Sequence, residues 1–158
     1  MQLFLNNFNF IAVGIMVFAT GLFGLLVFSN NHKSITNQAF FLLSLITILY
    51  TIVNYMSSQF IDRDLVLILL RLVIFSAVWQ SFSMFHFFYV FPNAEVRLPK
   101  IYKFLLMPII VVTSILTLTP YVFSGIQNNI VIGQVASTEH GPGMAVFGLV
   151  SAGLVIAS

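Results

Sequence analysis

The sequence predicts an all-α membrane protein: a polytopic transmembrane helix bundle with four full spans and a partial fifth. Three observations lead there. Hydrophobic residues make up 59% of the chain and charged residues 6%, where soluble domains carry about 25% charged. The mean hydropathy is +1.05. The apolar residues also come in runs close to the roughly 20 that a helix needs to cross a bilayer, with short polar segments between them. Four acids and six bases cannot cover the watered surface of a 158-residue domain. The isoelectric point near 9.2 comes from these small numbers and does not point to nucleic acid. Cysteine is absent, which excludes disulfides and thiol chemistry.

The elements follow in order. Residues 8–28 form the first predicted span, with only Asn9 and Thr20 polar. The N-terminus has no basic n-region, and no small-residue cleavage site follows, so the span reads as retained rather than as a signal peptide. After the loop "SNNHKSITN", residues 37–58 are the second span. "SQFIDRD" turns the chain, its acids placed where a helix start favours them. Residues 65–91 are the third span, stopped by Pro92, which lacks an N–H and disfavours helix in the residue before it. A short basic loop, "NAEVRLPKIYK", precedes the fourth span at 104–123, with a kink expected at Pro108. The polar loop 124–143 follows, and its β-prone middle, "NNIVIGQVAS", suggests a small hairpin. "HGPG" reads as a turn into the fifth helix, 144–158. That last run has no polar flank, and a helix ending in mid-bilayer leaves carbonyls unsatisfied, so the chain is expected to be truncated.

Basic residues favour cytoplasmic loops. Lys33 lies in loop one and Arg97, Lys100 and Lys103 in loop three; loop two has Arg63 between Asp62 and Asp64, and loop four has only Glu139. The expectation is a multi-pass protein with its N-terminus and loops two and four outside.

Polar residues inside the spans supply the candidate site. Ser44, Thr47, Thr51, Asn54 and Ser58 follow steps of three, four, three and four, which is one stripe of the second helix. Ser76, Gln80, Ser83 and His86 share a face of the third, with Trp79 at its edge. Lipid offers these groups no partner, so the two stripes are expected to face each other and bond between helices. Gly14, Gly21 and Gly24 lie on one side of the first helix, where a backbone could approach. His86 is open to three readings: an imidazole bonded to the second helix or a carbonyl, a proton or ligand sensor, or a metal or haem ligand. The last lacks companions, since there is no cysteine and His32 and His140 lie in loops at opposite ends. Arg71 reads as an anchor that snorkels to the membrane surface or as a ligand clamp. No nucleophile–base pair, paired carboxylates or phosphate loop appears, so no catalytic, cofactor or metal residue is expected.

Asn37 with "AFFLLSL", Arg71 early in the third span, "FHFFYVFP" closing it, Pro108, "LTP" at 118–120 and "HGPG" together resemble the seven-transmembrane sensor region at the N-terminus of many bacterial histidine kinases. The resemblance spans most of the chain, although its motifs are short. It implies a single membrane-embedded sensor domain over 1–158 in the bacterial inner membrane, feeding a signalling output in a two-component system. It also implies the bilayer as partner, with a homodimer and a small-molecule or lipid ligand open. The chain departs from the pattern in lacking spans six and seven and any phosphoacceptor histidine in a kinase-like helix. A part of a transporter and an assembly subunit are the alternatives. The first is suggested by polar stripes and Pro108, the second by the glycine face.

Overall fold

The structure is a computed structural model that describes residues 2–92, 100, 102–127, 130–134 and 136–158, with side chains throughout these except at 2–7 and 103. Among the described residues five α-helices run up and down: α1 (Gln2–Asn30), α2 (Ile35–Ser57), α3 (Arg63–Val90), α4 (Met107–Thr117) and α5 (Gly143–Ile156). A π-helical turn, Tyr102–Leu106, leads directly into α4. Two short strands, β1 (Phe123–Ile126) and β2 (Thr138–His140), form an antiparallel hairpin between α4 and α5. The hairpin lies at one end of the bundle, beside the end of α2 and the start of α3. The π turn lies at the opposite end.

α1, α2 and α3 are long and apolar enough to cross a membrane, whereas the stretches 104–117 and 143–156 are shorter apolar helices. The fourth helix therefore falls short of the expected span at 104–123. Pro120 supplies no N–H and restricts Thr119, while Thr117 and Thr119 turn their hydroxyls back onto the carbonyls of Ser114 and Leu116. The apolar residues beyond are drawn elsewhere. Val122 and Phe123 are buried against Val66 and Leu70 of α3, at the root of the hairpin. The hairpin also sits on either side of the expected "NNIVIGQVAS" stretch rather than within it; residues 128, 129 and 135 of that stretch are outside the described residues.

Other boundaries have visible causes. Asp62 caps α3 by accepting from the Leu65 N–H at 2.9 Å, which satisfies one of the free donors of a helix start. Phe91, before Pro92, is extended and ends α3. The proline expected to kink the fourth helix, Pro108, lies just after the π turn. A proline ring clashes with the carbonyl four residues back, and the wider π turn relieves that crowding. "HGPG" forms the junction it was expected to form. The N–H groups of Gly141 and Gly143 donate to the carbonyls of Val122 and Tyr121, and α5 starts at once. A Cβ at Gly141 would collide with the Tyr121 carbonyl.

α1 packs on α2. Gly24 lies so close that a Cβ there would come within 2.7 Å of Ser44 Cβ, and a Cβ at Gly21 would meet Ile48 Cδ1 at 3.4 Å. Gly14 has open space around it. α3 is central: it packs on α2, α4 and α5, and its Val78 and Phe82 join Tyr102, Ile110 and Leu154 in the main core.

Candidate functional site

Two groups of residues, one at each end of α3, hold its neighbours to it. At the hairpin end Arg71 sits two turns into α3, half-buried. Its Nη2 donates to the Phe123 carbonyl of β1 at 2.7 Å. A hydrogen bond from a charged donor contributes about 1.5–3 kcal/mol. Arg71 is thus turned onto the hairpin at the end of the bundle. The nearby strand offers an acceptor inside the protein, and the Arg71 Nε is buried with no partner among the described residues. A second tie holds the loop to α2, from the Gly133 N–H to the Ser58 carbonyl at 2.8 Å.

At the opposite end His86 accepts or donates through Nδ1 to the Tyr102 Oη, 2.7 Å away. The rings surround this pair: His86 stacks on Phe82 with 15° between planes, and Tyr102 also meets Phe85 and Tyr89. Tyr102 is 7% exposed. Among the described residues His86 therefore bonds to the π turn, and neither to the second helix nor to a backbone carbonyl. Among the described residues no three of His, Asp and Glu gather as a metal site.

The polar stripes are arranged otherwise than expected. Ser76 and Ser83 are buried, at 2% and 0% exposure, but each hydroxyl donates to the carbonyl four residues back in α3, Leu72 and Trp79. On α2, Ser44, Thr47 and Thr51 do the same, to Phe40, Leu43 and Thr47. Serine and threonine can satisfy themselves on their own helix, so burial of the stripe needs no bond across helices. Ser44 and Thr51 in fact point to α1, the first against Gly24 and the second within 3.9 Å of Met16 Sδ. The α2–α3 seam is marked instead by Thr36, which donates to the Val90 carbonyl, and by the Phe40–Phe87 ring contact. Gln80 is half-buried, and its side chain has no hydrogen-bond partner among the described residues.

Asn54 is exposed, near the end of α2, and its carboxamide likewise has no partner among the described residues. It stands between two cavities. One, about 400 Å³, lies between α2, α3 and the hairpin and is walled by Leu70, Val73, Ile74, Phe123 and Ala136. The other, about 370 Å³, lies between α1 and α2 and includes Asn9, Met16, Thr51 and Gly133.

Of the expected residues, then, the structure puts Arg71 and Asn54 at one end, His86 at the other, and Thr47, Thr51, Ser76, Gln80 and Ser83 along the shaft between them. Sequence reasoning missed Tyr102, hidden in the basic "KIYK" loop, although an aromatic hydroxyl at the same end as His86 was a legible partner. It could not have found Phe123, whose contribution is a backbone carbonyl. No protein-family model, no curated protein and no solved structure matches the chain.

Proposed function

We propose that this chain is the signal-input module of a multi-pass protein of the bacterial inner membrane, of the kind found ahead of sensor histidine kinases, with no catalytic chemistry of its own. The observation that carries the reading is the double tethering of α3. One continuous helix is bonded to the outer hairpin through Arg71 and to the π turn through His86. The two residues are fifteen positions apart, about 22 Å along the axis. A change in the hairpin is therefore delivered to the other end through a rigid element. The receiving part is also suited to move, since π turns are often found at functional places in helices. The three long apolar helices support insertion. In the sequence, Lys33, Arg97, Lys100 and Lys103 fall in the connections after the first and third long helices, while the connection between the second and third has Arg63 alone. The hairpin is outside and the His86–Tyr102 pair faces the cytoplasm.

The test perturbs one end and reads the other. Nitroxides on cysteines at Tyr89 and Leu105, both exposed, report the distance between α3 and the π turn in lipid nanodiscs. Arg71→Met removes the donor to Phe123 and should shift or broaden that distance distribution, while Arg71→Lys, which can still donate, should restore much of it. An unchanged distribution in Arg71→Met, with the hairpin shown to be released by faster amide exchange, would end the signal-input reading.

A further inference from the structure

We propose that the cavity between α2, α3 and the hairpin binds a small uncharged amphipathic molecule, one with an apolar body and a neutral hydrogen-bonding end group that Asn54 holds. The effect of binding rests on the signal-input reading; the site itself does not. Its volume of about 400 Å³ lies within the range of about 300–1,000 Å³ usual for small-molecule sites. So does its make-up: apolar walls with a few convergent polar groups. The walls are Leu70, Val73, Ile74, Phe123 and Ala136, and the polar rim is Asn54, Ser137, Thr138 and His140.

Charge selects the ligand class. Among the described residues no Asp, Glu, Lys or Arg lines the cavity. The one acid of the loop, Glu139, lies between Thr138 and His140 in β2, and alternate strand residues point to opposite faces. Thr138 and His140 thus turn inward and Glu139 turns away, toward Ser124, whose hydroxyl reaches its carboxylate at 3.2 Å. The Arg71 guanidinium, whose Nη2 bonds the Phe123 carbonyl, is not among the residues that line the cavity. A charged ligand would lose hydration with no carboxylate, ammonium or guanidinium in the described lining to replace it. A neutral one loses little and gains from Asn54, whose amide can both donate and accept and has no partner of its own among the described residues. Thr138 Oγ1 and His140 Nδ1 are 3.3 Å apart and bonded to each other, leaving Asn54 the group best placed to serve a ligand. Phe123 is both a wall of the cavity and the residue that Arg71 grips. An occupant that displaces Phe123 therefore acts on the tether of α3.

A free amphiphile and the tail of a bilayer lipid share the apolar part of this chemistry, and the experiment separates them. The full chain in phosphatidylcholine nanodiscs is photolabelled with a diazirine-bearing octanol and mapped by peptide mass spectrometry. A parallel sample carries a phosphatidylcholine with the diazirine in its acyl chain. The expected result is octanol adducts concentrated on residues 70–74 and 136–140 and displaced by excess octanol but not by octanoate or an octyl ammonium salt. Asn54→Leu should weaken half-maximal labelling roughly two- to tenfold, what one neutral hydrogen bond contributes. Ala136→Trp, on the hairpin side, should fill the cavity and abolish the adducts. Adducts as dense on the exposed Phe18, Ile15 and Ile68 as in the cavity would overturn the site. So would competition by octanoate, or labelling by the lipid probe that octanol does not displace. Octanol labelling without movement of the Tyr89–Leu105 nitroxide pair keeps the site and removes the signalling reading. Movement in Arg71→Met without cavity labelling does the reverse.

Discussion

Removing the Tyr102 hydroxyl should loosen the His86 end of α3 by a measurable and bounded amount. Tyr102→Phe keeps the ring and its contacts with Phe82, Phe85 and Tyr89, and loses only the 2.7 Å bond to His86 Nδ1. A net hydrogen bond contributes about 0.5–1.5 kcal/mol. The upper half of that range applies, because Tyr102 is 7% exposed and water cannot readily take its place. His86→Phe deletes the other partner while keeping a ring to stack on Phe82. If the bond is the link, the double variant should be less harmful than the sum of the two, with a coupling of about 1 kcal/mol. Tyr102→Ala sets the scale for the whole side chain and should cost about 3–5 kcal/mol through the lost ring packing. The assay is reversible unfolding by sodium dodecyl sulfate in mixed micelles, followed by far-ultraviolet circular dichroism. Additivity of the two single changes within about 0.3 kcal/mol would refute the bond as the tether and leave His86 as packing alone.

Gly24→Val should separate α1 from α2 and cost about 1–3 kcal/mol by overpacking, since a Cβ there already meets Ser44 at 2.7 Å; Gly14→Ala, with nothing within 4 Å, should leave the same unfolding midpoint unchanged. Ser76→Ala and Ser83→Ala should each cost under about 1 kcal/mol, because only a bond to their own helix is lost; a larger loss in either would mean that they bond across helices after all. Gln80→Leu should be tolerated as well as these, and a clear destabilisation would reveal a partner for its amide. Cysteines placed singly at Ser34 and Ser137 in this cysteine-free chain should differ in whole cells treated with an impermeant thiol reagent. Ser137 labels at once and Ser34 only after lysis, and the opposite order would invert the bundle.

The helices were legible because their signals are local and strong. Long apolar runs, an Asp at the start of α3 and a proline after its end each act within a few residues. The end of the fourth helix was not legible, because Val122 and Phe123 look the same in a list whether they continue a helix or anchor a strand against Val66 and Leu70. The hairpin was legible as a tendency but not in register, since its pairing depends on where the loop closes. Arg71 and His86 stand out in the sequence as ionisable residues within apolar runs. Their partners were not reachable, because one is a backbone carbonyl 52 residues away and the other a tyrosine in a loop that reads as charged. The serine and threonine stripes misled for a physical reason. Periodicity tells which side of a helix a hydroxyl is on, but not whether it looks outward for a partner or back to the carbonyl four residues behind it.

Between the two tethers sits the chain's single tryptophan. Trp79 is eight residues from Arg71 and seven from His86, about 12 Å and about 10 Å along α3. Phe75 and Phe82 flank its ring, and its Nε1–H is buried without an acceptor among the described residues. Buried indole N–H groups usually find a partner, so this one is a dipole held in an apolar cage. Its excited state should have little to relax against, and blue emission is the expected result. Any shift of α3 that admits a water or brings a hydroxyl within reach would give that dipole a companion and move the emission to the red. The protein thus carries its own optical gauge at the midpoint of the shaft, and a spectrum of the unmodified chain reads whether the shaft has moved.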